Sequence, residues 1–283
     1  MDLKILVFDN FSKAFAFIVM YAVLFLLAKW LKDLFTPYKI NKELTQTDNL
    51  AVALTMSGYY LATAVIFFGA LFGPSKGFSE DLLAVGGYSL LGLVVLNLSR
   101  WFNDKIILRK FCNIEQLSKD HNIGVGAVQF GTYLATGLIA GGAVSGEGGG
   151  IVSFLVFFVL GQISLFVFSY IYDLLMPYCI HEELDKKNTA AGVAFGGTLI
   201  AIGIIILNGV VGDFVNWRND LTLFGLANIL AFIFLPLVRV FMDKLVIPGD
   251  DLSREIKEDQ NVGAGLLEAT VAICFAIVLT QLI

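Results

Sequence analysis

The chain has 283 residues, of which 57% are hydrophobic and only 15% charged, with a mean hydropathy of +0.80. That is more apolar surface than one soluble core can hide, so the composition excludes a soluble enzyme and places the chain in a membrane. The net charge of −5 is dispersed over short connections with no polybasic block, which argues against nucleic acid as a partner.

Charge and proline interrupt the apolar runs so as to leave eight spans, at about 14–35, 50–72, 82–102, 124–145, 151–173, 189–211, 221–242 and 262–283. Each is long enough to cross a hydrocarbon layer of about 30 Å, and none alternates as a barrel strand does. Backbone groups in lipid must be satisfied within their own segment, so helices are the consistent reading. The first run lacks a small-residue cleavage site and is expected to remain as a span.

Fifteen of the 19 lysines and arginines lie in or beside the connections that follow spans 1, 3, 5 and 7. By the positive-inside rule these connections are expected to be cytoplasmic and both termini periplasmic. Cys112, Cys179 and Cys274 fall at unrelated spacings and read as ordinary thiols.

Repetition is the strongest signal. Arg100, Asp104, Lys105, Asn122, Gly124 and Gly126 recur as Arg239, Asp243, Lys244, Asn261, Gly263 and Gly265 at a constant shift, and Pro37-Tyr38 recurs as Pro177-Tyr178. A shorter repeat lies inside this one, since Tyr60-Leu61-Ala62-Thr63 stands beside Tyr133-Leu134-Ala135-Thr136. The expected architecture is an all-α integral membrane protein of eight transmembrane helices, built as four tandem two-helix hairpins in two parallel four-helix halves. The first half is residues 1–147, with hairpins 14–73 and 80–146; the second is residues 148–283, with hairpins 151–212 and 219–283. An even number of spans per half makes these parallel repeats rather than inverted ones.

Each hairpin has an aspartate ending its first helix (Asp33, Asp104, Asp173, Asp243) and an asparagine opening its second (Asn49, Asn122, Asn188, Asn261). The asparagines suit helix N-caps, and a ring of four could also line a vestibule. The aspartates face the unfavourable end of a helix dipole, so something must compensate. Lys29, Arg100 and Arg239 stand one turn before three of them, and the start of each partner helix could attract the carboxylate as well. An ion or partner site at that level is the functional alternative.

Tandem two-helix units with Asn-x-Ala or Asn-x-Gly opening a glycine-rich helix resemble domain-of-unknown-function family 350, the YjfL-like bacterial inner-membrane proteins. The resemblance covers nearly the whole chain, with four hairpins where those proteins carry two. It implies a fold, a bacterial inner membrane and membership of a membrane-stress complex; it implies no reaction.

Most of the 28 glycines lie in the even-numbered spans, some spaced four apart, so these are expected to pack closely inside. The odd-numbered spans carry Phe15, Phe17, Phe25, Phe154, Phe157 and Phe158 and are expected to face lipid. Glu268 is the single acid well within a span, and an ionisable group there is a functional candidate by default. Gln129 occupies the equivalent place in the first half. Gln162, Asn97, Asn208 and Asn228 suit interhelical hydrogen bonds.

No catalytic set, cofactor motif or metal-ligand spacing is present; His181-Glu182-Glu183 lacks a second histidine and reads as a solvated loop. Gly146–Gly150 reads as a flexible joint between the halves. The charged connections pair acids with apolar residues, at Glu43-Leu44, Glu115 with Leu117, Glu183-Leu184 and Glu255-Ile256, and 251–260 reads as a short amphipathic helix. Together they suggest a docking face for a cytoplasmic or membrane protein, with self-association as another use of the small-residue stripes. The expected role is a non-enzymatic membrane component or scaffold; the alternative is a channel or transporter for a small ion or solute.

Overall fold

The structure is a computed structural model that describes residues 3–73, 75–108, 112–246 and 249–282. The end of the eighth expected span, at Ile283, lies outside the described residues. Twelve α-helices are described, eight of them long and apolar enough to cross a membrane and four of them six residues long. They follow one motif four times: a long helix, a short helix, a second long helix.

The four units are α1 (Leu3–Phe35), α2 (Ile40–Thr45) and α3 (Leu50–Leu71); α4 (Phe78–Ile106), α5 (Asn113–Ser118) and α6 (Ile123–Val144); α7 (Gly150–Leu175), α8 (Ile180–Asp185) and α9 (Thr189–Asn208); and α10 (Trp217–Phe241), α11 (Leu252–Lys257) and α12 (Val262–Thr280). The last turn of α10 passes into a π-helical segment, Met242–Val246. The short helices escape the sequence pattern, except at 252–257, because six residues are too few to display a 3.6-residue period.

The second long helices, α3, α6, α9 and α12, stand side by side in a row, each packed along its length on the next. In lipid there is little hydrophobic drive between helices, so close packing must come from small residues that let backbones touch. A Cβ placed on Gly126 would lie 2.6 Å from the Ala51 carbonyl oxygen, and one on Gly203 would lie 2.6 Å from the Ala135 Cα. Gly131 meets the backbone of Gly196, and Gly69 that of Gly141. Ala51, Ala62, Ala135, Ala191 and Ala201 are fully buried along the same seams.

The first long helices flank this row. Helix α4 rests on α3 and α6, α7 on α6 and α9, and α10 on α9 and α12, whereas of the row α1 packs chiefly on α3, with Lys32 reaching Tyr133 of α6. Phe15 is exposed as expected of a lipid-facing residue, but Phe154, Phe157 and Phe158 are buried. The physical reason is that α7 also touches α4 and α10, and its rings fill those grooves, with Phe157 stacked on Trp217 at 6.2 Å between centroids. The glycine joint is not loose: Phe214 N–H donates to the Glu147 carbonyl at 2.7 Å, and Glu147 N–H to Asp213 Oδ1 at 2.8 Å.

The candidate polar layer at the short-helix face

Every unit turns from its short helix into the next long helix by the same geometry. The residue before the asparagine, Asp48, His121, Lys187 or Gln260, has a φ between 48° and 63°, and the asparagine N–H returns to the carbonyl of Glu43, Gln116, Glu183 or Glu255. This is a left-handed residue closing the short helix, directly followed by the cap of the long one.

The four asparagines do cap. Their Oδ1 atoms accept from the amides of Val52, Val125, Ala191 and Ala264 at 3.1–3.3 Å. Their Nδ2 atoms donate backward to Glu43, Gln116, Glu183 and Glu255. Three of them also donate forward, to a carbonyl of the next unit's short helix: Asn49 to Leu117 at 2.8 Å, Asn122 to Leu184 at 2.6 Å and Asn188 to Ile256 at 2.8 Å. The residue that reaches the second asparagine is thus Gln116; Glu115 is exposed and pairs with Lys119 at 2.8 Å, which raises the lysine's pKa.

Two of the aspartates find a different compensation from the one expected. Asp173 Oδ1 accepts from the Ile180 amide and Asp243 Oδ1 from the Leu252 amide, each at 3.1 Å, so these carboxylates tie down the start of the short helix rather than that of the long one. Asp104 keeps its expected partner Arg100 at 3.6 Å and also accepts from Gln129 Nε2 at 3.1 Å. Asp33 is exposed.

Glu268 is 4% exposed and belongs to a cluster formed by the fourth unit with α7. Arg239 Nη1 and the Tyr172 hydroxyl both donate to Glu268 Oε1, the latter at 3.0 Å, and Arg239 Nη2 donates to Ser253 Oγ at 3.1 Å. Arg239 is therefore turned away from the Asp243 pairing that its spacing suggests. In the first half Arg100 pairs with Asp104, and Lys32, 1% exposed, donates to the Tyr133 hydroxyl and lies over the Tyr59 ring. Asn97 Nδ2 donates to the Tyr59 hydroxyl at 3.0 Å, an interhelical bond as expected. Asn228 bonds within its own turn, and the buried amide of Gln162 makes no hydrogen bond. Tyr38, just beyond α1, has its pKa pushed up to about 12 by burial, opposed by the nearby Arg100 charge.

Sequence reasoning missed Lys32, Tyr133 and Tyr172, whose partners are about a hundred residues distant. It also misplaced His181 and Glu183, which are 5% and 3% exposed rather than solvated. His181 Nε2 donates to the Ile107 carbonyl at 2.9 Å, its Nδ1 is 3.6 Å from Asp173 Oδ2, and Asp173, Cys179 and His181 bring one ligand atom each within 4.8 Å of one another.

At the opposite face, beside the 146–150 loop, is a cavity of about 770 Å³ whose lining includes Asp81, Glu147, Asp213 and Asp220. Three of these acids bind loop amides: Asp81 that of Lys76, Asp213 that of Glu147, and Asp220 those of Val215 and Asn216. A small void of about 10 Å³ adjoins Arg100, Asp104, Gln129 and Tyr133. The two share no lining residue, and the stretch of α6 between Tyr133 and Ala143 that separates them is about 15 Å of packed helix.

The model of a family described as Domain of Unknown Function (DUF350) matches the chain twice, over residues 6–144 and 148–283. The chain is 26% identical over 244 residues to a UPF0719 transmembrane protein of Aquifex aeolicus, covering 83% of this chain and 87% of the relative. It is 26% identical over 128 residues to the UPF0719 inner membrane protein YjfL of Escherichia coli K12, covering 44% of this chain and 86% of the relative. No solved structure matches the chain.

Proposed function

We propose, for a chain that belongs to the DUF350 family, the role of a non-enzymatic membrane scaffold whose short-helix face is a docking plate. The observation that carries this reading is the chain of forward bonds from Asn49, Asn122 and Asn188, which joins the four short helices into one surface. A single sheet of capped helix ends carrying exposed Lys39, Lys42, Lys119, Lys186 and Lys257 offers charges that can steer and orient another protein. The seams of the helix row are filled by backbone contacts, which favours a wall over a conduit. The bias of lysine and arginine toward this face makes it the cytoplasmic one, with both termini in the periplasm of a bacterial inner membrane. The inner-membrane name of the Escherichia coli relative supports that location. An envelope-maintenance or stress complex is the setting we assign.

The test replaces Lys42, Lys119 and Lys257 by Glu together, all exposed and outside the asparagine network. The scaffold reading expects a stoichiometric partner, copurified from native membranes, to be lost from this variant while its melting temperature is unchanged. Glu43, Glu183 and Glu255 are unsuitable for that purpose because each holds an asparagine cap.

The second reading is a channel or transporter for a small ion or solute. It draws on one feature, the buried Glu268 Oε2, which makes no hydrogen bond beside an otherwise bonded Oε1. Solute flux in proteoliposomes that disappears on Glu268→Gln would overturn the scaffold in its favour.

A further inference from the structure

We propose that copies of this chain associate head to tail in the membrane, with α12 of one copy docking on α3 and α1 of the next and continuing the interface that joins each unit to its successor. This goes beyond the scaffold reading and does not depend on it.

The three internal junctions follow one pattern. Two residues after its asparagine, each of the first three units presents a small residue to the glycine that lies four residues after the next asparagine: Ala51 to Gly126, Gly124 to Gly192, Ala190 to Gly265. Nine residues after the asparagine, a glycine meets the residue at position eight of the next unit: Gly58 to Phe130, Gly131 to Gly196, Gly197 to Ala269. Above these contacts the asparagine Nδ2 donates to the next short helix. Each unit therefore has a leading face and a trailing face, and every internal junction joins one to the other.

Among the described residues, the fourth unit has a leading face with nothing on it. Asn261 is exposed where Asn49, Asn122 and Asn188 are at most 1% exposed, and its Nδ2 has only the backward bond to Glu255. A Cβ on Gly263 would meet just the Oδ1 of its own Asn261, at 3.1 Å. Leu266 and Ile277, on the same stripe, are 58% and 51% exposed. The first unit has the matching trailing face open: Ser57, Leu61 and Phe68 of α3 are exposed.

The flanking helices give an independent sign. Each of α4, α7 and α10 lies in the groove between its own row helix and the preceding one, and 39%, 50% and 29% of their most apolar stretches are buried. Helix α1 has no preceding row helix, and only 11% of its stretch is buried. A neighbouring α12 would supply that missing wall. In the joined pair, the register sets Gly263 beside Ala53 and Thr270 beside Ser57; because Ala53 and Thr270 carry side chains where the internal junctions have glycine, the two row helices stand farther apart than inside the chain, with Asn261 Nδ2 directed at the Leu44 carbonyl of the next copy. Thr270 stands where the other units have glycine, and its hydroxyl meets that of Ser57, a pairing suited to lipid surroundings. The contact is heterologous, so it closes into a ring or continues as a filament.

The test is disulfide cross-linking of the full chain in its native membrane, in a background with Cys112, Cys179 and Cys274 changed to Ser. Two differently tagged chains are coexpressed, one carrying Gly263→Cys and the other Ala53→Cys. The expected result is a cross-link joining the two tags, absent from a control pair of Gly263→Cys with Ile229→Cys, a lipid-exposed site on α10. As a non-covalent readout, Gly263→Leu, whose Cβ takes the place that Ala51 and Ala190 fill beside their own asparagines and whose further bulk lies on the exposed face, is expected to abolish oligomers in native mass spectrometry from lipid nanodiscs without a change in melting temperature. Cross-linking no greater than the control, or Gly263→Cys pairing mainly with itself, would overturn the proposal, as would oligomers untouched by Gly263→Leu.

Discussion

At the scale of single residues, the same asparagine does unequal work in the four units. Asn188 is fully buried and makes three side-chain bonds, to Ala191, Glu183 and Ile256; Asn261 is exposed and makes two. Removing a cap costs about 1 kcal/mol, and each buried partner left unsatisfied costs about 1–3 kcal/mol more. Asn188→Ala is therefore expected to lower the thermal midpoint of the monodisperse protein in detergent well below that of Asn261→Ala; equal shifts would refute the account. The Arg239–Glu268 pair obeys the logic of buried charges, in which removal of one partner is worse than removal of both. Glu268→Ala should cost about 3–5 kcal/mol by stranding Arg239, and Arg239→Met combined with Glu268→Leu should recover most of that loss. A double variant no more stable than the single one in the same melting assay would show that the pair is held for another reason.

At the scale of elements, what was legible in the sequence is what a short window can carry. The eight long helices follow from run length and from the charges and prolines that end them, and the asparagine caps follow from position alone. The Asp104–Arg100 pair is likewise four residues apart. Lys32 against Tyr133 and Tyr172 against Glu268 were not legible, because they bring together helices from different units and no local period encodes which faces meet. The burial of Phe154, Phe157 and Phe158 was missed for a related reason: α7 is apolar all round, so its pattern does not distinguish lipid from a groove between helices. Glycine tells the two situations apart experimentally. Gly131 presses on the Gly196 backbone, whereas Gly87 has nothing within 4 Å of a built Cβ. Gly131→Ala is expected to lower the melting temperature or prevent folding, while Gly87→Ala, in the interior of α4, leaves it unchanged or raises it. A larger loss at Gly87 would contradict the close-packed row.

At the scale of the whole molecule, the layout has two chemically different faces, one of short helices and lysines, the other of glycine turns with acids bound to loop amides. The orientation we assign makes a direct prediction. Cys112 immediately precedes α5 and is exposed, so with Cys179 and Cys274 changed to Ser it should react with a membrane-impermeant maleimide in inverted vesicles and not in intact spheroplasts. Labelling from the spheroplast exterior would reverse the topology. The sequence carried the existence of these two faces through its charge bias, and the repeat carried the number of units; the row into which the units assemble required the glycine contacts.

Each unit leaves the membrane on the side from which it entered. A duplicated copy can therefore be spliced after it without turning any downstream segment upside down, and the join requires only a short loop such as 145–149. The Escherichia coli relative, matched over 128 residues and 86% of its length, is about one half of this chain. Fusion of two such halves replaces a collision between separate molecules with a tether, which raises the local concentration of one face beside the other to the millimolar range. On the head-to-tail proposal, the α6–α9 seam in the middle of this protein corresponds to a junction between two such halves, here held by a peptide linker.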